Sequence, residues 1–218
     1  MMVALAVLVA VSAADAGRKK EKSGKAEKGT FTDATYEFAL KAGDNWGIKT
    51  MHADAKLRVS FTQRKFDVPP DYIQAPDYTK VPRLILWVDT THMGAFAFVD
   101  SLISETFKSK QKSDITREFE LLTESNVLPK GRKPFAVGAD KGIFWEGRVP
   151  YTKEIQTSAS STAVRRVKQA YMGAIIAVKH NDKILVFHLM SEEAFYENIL
   201  KEAFEIINSL TWPATASK

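Results

Sequence analysis

Alternating apolar and polar positions in the middle of the chain predict strands. Leu57, Val59 and Phe61 alternate with polar residues, which predicts a strand with one buried and one solvated face. Residues 83–89 are apolar on both faces and therefore predict a central strand that is covered on both sides. Further strands are expected at residues 35–40, 115–122 and 143–149.

Two strongly apolar segments nearer the C-terminus predict a β-hairpin. They span residues 171–179 and 183–190 and are separated by His180, Asn181 and Asp182. Asn and Asp tolerate the positive φ angles that a tight turn requires, so the two strands are expected to pair antiparallel.

Apolar residues at spacings of three and four predict two helices. The first covers residues 95–108, with Phe96, Val99 and Leu102 on its apolar side. The second follows Ser191, a good N-cap, and the two glutamates after it would lie in the first turn, where the helix dipole favours anions. Its apolar stripe comprises Phe195, Ile199, Ala203, Ile206 and Leu210, widened by Leu200, Phe204 and Ile207.

These elements predict an α+β fold. A sheet that is apolar on both faces needs cover on both, so we expect an antiparallel-rich central sheet between helical layers, an α/β/α sandwich. No internal repeat and no second linker divides the body, so residues 31–218 are expected to form a single domain.

The N-terminus has the pattern of a signal peptide. The apolar run Val3–Val11 is too short to span a bilayer, and Ala14-Asp15-Ala16 matches the small-x-small pattern that signal peptidases accept. No basic residue precedes the run, and a buried N-terminal strand or helix is the alternative. We expect residues 1–16 to be removed and the protein to be extracytoplasmic, periplasmic or secreted. The chain has no Cys, so it is not expected to be a lipoprotein.

Residues 17–30 are basic and contain no large apolar side chain, which predicts a flexible linker. Within them, residues 18–28 carry six basic and two acidic side chains, so most of the net charge of +5 lies there. This segment could hold the protein weakly against an anionic surface, or it could be a solubilising spacer. The charges of the rest of the chain nearly balance, so nucleic acid is not expected as a partner.

The sequence contains no recognisable catalytic motif, and it points to no cofactor and no metal. None of the four histidines lies at a metal-binding spacing from another, and the motifs of nucleophile elbows, phosphate loops and calcium loops are missing. Asp89 and His92 form the best titratable pair, at the end of a predicted strand. The chain is therefore expected not to be an enzyme.

Three short segments are candidate binding surfaces. The Pro- and Tyr-rich loop at residues 67–82 exposes aromatic side chains, unless they fold back against the sheet edge. A basic turn at residues 129–134 and a second basic cluster at 165–168 could bind anions, or they could keep strand edges from aggregating. The candidate residues are Tyr72, Ile73, Tyr78, Arg132, Lys133, Arg165 and Arg166.

The chain resembles the PsbP-like family. The resemblance rests on the early Trp46 after a short strand, on the mid-chain helix AFAFVDSLISETFK and on the ending ILVFHLMSEEAFYENILKEAFEIINSLTW. It runs from Thr35 to Trp212. This family, which includes the extrinsic photosystem II subunit, its bacterial paralogues and a Ran-binding import factor, implies an α/β/α sandwich and a non-catalytic binding or assembly module that is exported in many bacteria.

Three functions follow from these expectations. The first is an exported, non-catalytic binding or assembly module of the cell envelope, with no identified partner. The second is a carrier of a small ligand or lipid, which would use a pocket between sheet and helix. The third is an enzyme with a site near Asp89 and His92.

Export can be tested directly. The short apolar run followed by small residues predicts cleavage after Ala16, or after Ala14 at a second small-residue site. The intact mass of protein from the extracytoplasmic fraction should correspond to a chain that begins at Gly17 or Asp15. A cytosolic protein that retains Met1 would contradict the prediction.

Overall fold

The computed structural model describes residues 21–65, 82–103, 128–156 and 163–213. These residues form ten strands and two helices, which fall into a large sheet, a small sheet and two helical layers. The elements are β1 Gly24–Glu27, β2 Thr30–Asp33, β3 Ala39–Lys41, β4 Trp46–Thr50, β5 Leu57–Gln63, β6 Arg83–Thr90, α1 Ala95–Ile103, β7 Leu128–Val137, β8 Asp140–Gln156, β9 Val164–His180, β10 Lys183–Glu192 and α2 Tyr196–Asn208.

The large sheet has seven strands in the order β4-β5-β6-β10-β9-β8-β7, and every neighbouring pair is antiparallel. The predicted central strand is β6, which lies between β5 and β10. The predicted hairpin is β9–β10, whose turn contains Asn181 at φ +53°. The antiparallel α+β class and both of these strand assignments are confirmed.

Side chains alternate between two cores, one on each face of the large sheet. On one face Trp145, Ile175 and Val186 pack against α1. On the other face Phe144 and Ile176 pack with α2 and with the small sheet β1-β2-β3. The sheet is therefore covered on both sides, as its apolar strands require.

The prediction of a flexible linker at residues 17–30 is wrong from Gly24 onward. Gly24–Glu27 is strand β1, paired with β2, and Lys22 forms a bridge with His52. The backbone ladder orders this segment without large side chains, and Gly24 lies so close to β2 that a Cβ would be 2.1 Å from the Thr32 carbonyl oxygen. The folded part of the chain thus begins before residue 31, and residues 17–20 lie outside the described residues.

The predicted solvated face of β5 is also wrong. Leu57 pairs with Trp87 and Val59 with Leu86, so Arg58 is an extra residue in a β-bulge, which re-aims its side chain. Arg58 is only 2% exposed, and its guanidinium donates to both carboxylate oxygens of Asp33 in β2, at 2.7 and 3.1 Å.

All of the Arg58 nitrogens have partners, as burial of a guanidinium requires. Besides Asp33, they donate to the carbonyl oxygens of Ser23, Ala53 and Ala55 and to the Thr35 hydroxyl. Asp33 in turn accepts from the backbone N–H groups of residues 35 and 36, which form a turn, so the strand expected at residues 35–40 begins only at Ala39.

Helix α1 begins at Ala95 as predicted, but one of its predicted core residues is exposed, and helix α2 begins later than predicted. In α1, Val99 and Leu102 are buried, but Phe96 is 57% exposed, because the sheet side of the helix is set by Ala95 and Val99. Helix α2 begins at Tyr196, since Ser191 continues β10 and pairs with Met172 instead of capping a helix. The stripe of α2 is otherwise as expected, with Ile199, Ala203 and Ile206 buried.

Residues 129–134 lie in strand β7 and do not form a turn. Because β7 is the last strand of the sheet, prolines are tolerated there, and a bulge between Pro129 and Gly131 breaks the register. The strand expected at residues 143–149 is part of β8, whereas that expected at 115–122 and the end of the first predicted helix lie outside the described residues. In the part of the chain that the structure describes, no helix is long and apolar enough to cross a membrane.

The Arg58–Asp33 pair should be a large contributor to stability. Arg58→Ala leaves the Asp33 carboxylate buried without its charge partner, and breaking a buried pair in this way costs about 3–5 kcal/mol. Urea denaturation should show this loss, while Lys25→Ala, which removes an exposed pair with Glu27, should move the midpoint little. Equal losses for both variants would show that the pair does not hold the two sheets together.

Candidate binding surfaces

The structure separates the predicted basic residues. Arg132 and Lys133 are consecutive in β7 and so point to opposite faces of the sheet. Arg132 forms an ion pair with Asp100 and lies over the Phe96 ring at 5.4 Å. Its guanidinium is therefore already bound by two side chains of α1. Lys133 faces α2 instead.

Arg165 and Arg166 lie far from Arg132. Arg132 is opposite Trp145 and Arg165 is opposite Ile155 on the same strand β8, ten positions apart. At about 3.3 Å per residue this is about 33 Å along the strand. The two predicted clusters therefore do not form one anion site. Tyr72, Ile73 and Tyr78 lie outside the described residues and stay a prediction.

Asp89 and His92 do not form a paired site either. The Asp89 carboxylate accepts from Lys56 Nζ at 2.7 Å, and His92 is exposed in the segment before α1. A different carboxylate–imidazole contact joins Asp140 to His180 Nδ1 at 2.9 Å, with the Trp212 ring stacked on the imidazole at 3.9 Å. This contact ties the turns of two hairpins to the residues after α2.

A small cleft lies between α2 and the strands β7 and β8. Its volume is about 270 Å³, and its floor is a group of three stacked or tilted phenyl rings from Phe135, Phe144 and Phe204. Lys133 lies at its rim. The remaining lining residues are Pro134, Glu146, Glu197 and Leu200.

A buried tyrosine lies beside this cleft. The Tyr196 hydroxyl, at the start of α2, donates to Glu146 Oε2 at 3.0 Å. Burial raises the pKa of Tyr196 far above its usual value, and the Glu146 carboxylate raises it further. The phenol therefore stays protonated and holds the start of α2 against β8.

A second and larger opening lies between β1 and β4. Its volume is about 660 Å³. Three exposed lysines, Lys22, Lys25 and Lys49, line it, and Ile48 contributes an apolar wall. Gly24, Ala26, Glu27 and Thr50 complete the lining. We call this opening the β1–β4 groove.

The β1–β4 groove is a fork between two strands. Ser23 N–H donates to the Met51 carbonyl at 2.9 Å, and Ala53 N–H donates to the Glu21 carbonyl at 2.8 Å, so residues 21–23 run beside residues 51–53. Beyond this point the chain bends away as β1, and the two strands diverge.

Sequence reasoning missed this site because its lysines come from segments that are 24 residues or more apart. Lys22 and Lys25 belong to the segment that was expected to be a flexible linker, and Lys49 lies in a short strand. The signal in the sequence is the excess of lysine near the N-terminus. It does not show that this segment pairs with other strands and so holds its lysines on the wall of a groove.

Among the described residues, no group of three or more His, Cys, Asp or Glu side chains could hold a metal ion. The β1–β4 groove itself offers exposed ammonium groups, one carboxylate, an aliphatic wall and strand edges.

Tyr196 gives a prediction for stability at high pH. The unfolded chain loses the phenol proton near pH 10, whereas the folded chain keeps it, so the free energy of unfolding falls as the pH rises above about 10, by up to about 1.4 kcal/mol per pH unit. Tyr196→Phe lacks this contribution, and its stability should fall less steeply in urea unfolding series that cross this pH. Identical slopes would show that Tyr196 ionises normally in the folded protein.

No protein-family model matches the chain, and no curated protein matches it. Among solved structures, the chain is similar to LpqN, which is involved in cell envelope biogenesis of Mycobacterium tuberculosis, with 10% sequence identity over 80% of this chain and 82% of that chain and a TM-score of 0.44. It is also similar to the cyanobacterial PsbP of Synechocystis, with 9% identity over 84% of this chain and 91% of that chain and a TM-score of 0.45. A PsbP protein is thus among the structures similar to this chain, as the sequence resemblance implied.

Proposed function

We propose that this chain is an exported, non-catalytic binding module of the cell envelope that holds its partner in the β1–β4 groove. The observation that carries the proposal is the groove itself, an opening of about 660 Å³ between two strand edges with three lysines on its walls. It lies within the usual size range of binding sites, about 300–1,000 Å³.

Export is supported by the sequence at the N-terminus. The run Val3–Val11 has the length of a signal-peptide core, and Ala14-Asp15-Ala16 supplies the cleavage pattern. With the signal peptide removed, the first groove residue, Lys22, lies close to the new N-terminus. The basic segment was expected to contact an anionic surface weakly. Here its residues Lys22 and Lys25 instead provide the positive charge of the groove.

A second candidate function is a carrier of a small apolar ligand. The cleft between α2 and β7–β8 favours it, because three phenyl rings form its floor. Its volume of about 270 Å³ is at the lower limit for ligand sites, so it fits a molecule of few atoms better than a lipid.

The binding function is tested by reversing the charge of the groove. The triple variant Lys22→Glu, Lys25→Glu, Lys49→Glu keeps the strands but replaces three positive charges in the groove with negative ones. Affinity capture from the native envelope fraction with the mature wild-type protein should recover a partner that this variant recovers at least about tenfold less.

The matched control carries the same charge change at exposed lysines outside the groove: Lys65→Glu, Lys141→Glu and Lys201→Glu. It should capture the partner as the wild type does. If the two triple variants capture it equally well, the partner binds elsewhere. Loss of capture only when Phe204→Leu is introduced would instead place binding in the cleft beside α2.

A further inference from the structure

The β4 edge of the large sheet is partly occupied by the chain itself. Residues 21–23 lie beside residues 51–53, in the position that an eighth strand would take. From Gly24 onward the chain leaves this position to pair with β2. Among the described residues, no strand is hydrogen-bonded to the outer edge of Trp46–Thr50, and the β1–β4 groove borders this edge.

The backbone groups that face this space follow from the hydrogen bonds at its ends. Asn45 C=O accepts from Arg64 N–H before β4, and Met51 N–H donates to Arg58 C=O after it, so the backbone groups of Gly47 and Lys49 point toward β5. The Met51 C=O, where the strand has ended, turns away from β5 and accepts from Ser23 N–H. Because directions alternate along an antiparallel strand, the N–H and C=O groups of Ile48 and Thr50 point into the groove.

The same reasoning applies to the opposite wall. Asp33 N–H donates to Phe38 C=O, so Asp33 turns its backbone groups toward β3, and its partner Gly24 turns its own away from β2. Ala26 follows in the same orientation. Both walls of the groove therefore present peptide groups together with small or short side chains.

The volume fits an extended peptide. One residue of a strand occupies about 3.3 Å along its axis, about 4.8 Å between strands and about 10 Å across the sheet, which is about 160 Å³. The groove volume of about 660 Å³ is about four times this value, and β1, which forms one wall, is four residues long.

The charge of the groove selects the sequence of that peptide. Lys22, Lys25 and Lys49 are exposed on its walls, against the single carboxylate of Glu27. The ion pair between Lys25 and Glu27 is exposed at 2.7 Å, so an incoming carboxylate can compete for that lysine. Ile48 offers a contact for an apolar side chain between two acidic ones.

We propose that the β1–β4 groove binds an extended acidic segment of a partner protein, which adds as a strand to the open edge of β4. Main-chain hydrogen bonds with Ile48 and Thr50 provide the pairing, and the three lysines select carboxylate side chains at alternate positions. This inference rests on the proposed function of the same groove.

The test uses three synthetic peptides and the full mature protein. The first alternates Glu and Val over eight residues, the second replaces Glu by Lys, and the third is the Glu peptide with alternate backbone nitrogens methylated. Binding is measured by NMR titration, and hydrogen exchange is measured at the amides of Ile48 and Thr50.

We expect the Glu peptide to slow exchange at both amides and to bind at least about tenfold more tightly than the Lys and the methylated peptides. In the Lys22→Glu, Lys25→Glu, Lys49→Glu variant the preference should invert, whereas the Lys65→Glu, Lys141→Glu, Lys201→Glu control should behave as the wild type.

The two proposals fail in different ways. If the methylated peptide binds as tightly as the unmethylated one, strand addition is overturned, while a groove that binds through charge alone stands. If no peptide binds but capture of the envelope partner still depends on the groove lysines, an acidic strand is the wrong partner and the binding module stands. Binding to vesicles containing anionic lipid in place of peptide, or a peptide-independent dimer through β4, would also overturn the inference.

Discussion

The buried ion pair between Arg58 and Asp33 determines where the small sheet lies on the large one. Arg58 comes from the bulge in β5 and Asp33 from the end of β2, so the pair joins the two sheets directly. The guanidinium also binds the carbonyl of Ser23, the residue at which β1 leaves the edge of β4. A buried charge is tolerated only when its donors are satisfied, and this requirement fixes the bulge, the turn after β2 and the opening of the groove together.

The hydrophobic pattern predicted the interior strands of the large sheet but not its edge strands β4 and β7, and it could not predict the small sheet. Strands β6, β9 and β10 carry long apolar runs, and Asn181 marks the turn between two of them, so local sequence contains most of their structure. The small sheet is held by different means. Its strands have three or four residues, Gly24 contributes by having no side chain, and its buried ion pair joins residues 25 positions apart. The polar side chain of Arg58 predicted an exposed position, whereas Arg58 is buried and its ion pair with Asp33 joins the two sheets.

The basic residues show the same contrast between sequence and space. Arg132 and Lys133 are adjacent in the chain, but strand alternation sends one toward α1 and the other toward α2. Lys49 is 24 residues from Lys25 in the chain, but the bridge between Lys22 and His52 brings the segments that carry these lysines together. A cluster of charges in a sequence therefore predicts a surface only when the residues also share a face. That condition depends on strand register and could not be read from composition.

The two edges of the large sheet are treated differently, and this difference favours a binding role for one of them. Unpaired strand edges tend to associate, and proteins protect them with prolines, bulges and charges. β7 has all of these protections, with two prolines and a bulge at Gly131. β4 has neither a proline nor a register shift against β5. It is protected instead by residues 21–23, and only beyond Thr50, so its remaining edge opens into the groove. The large sheet thus blocks its β7 edge chemically and shields only part of its β4 edge, and the lysines around the remaining part of β4 restrict which strand would add there.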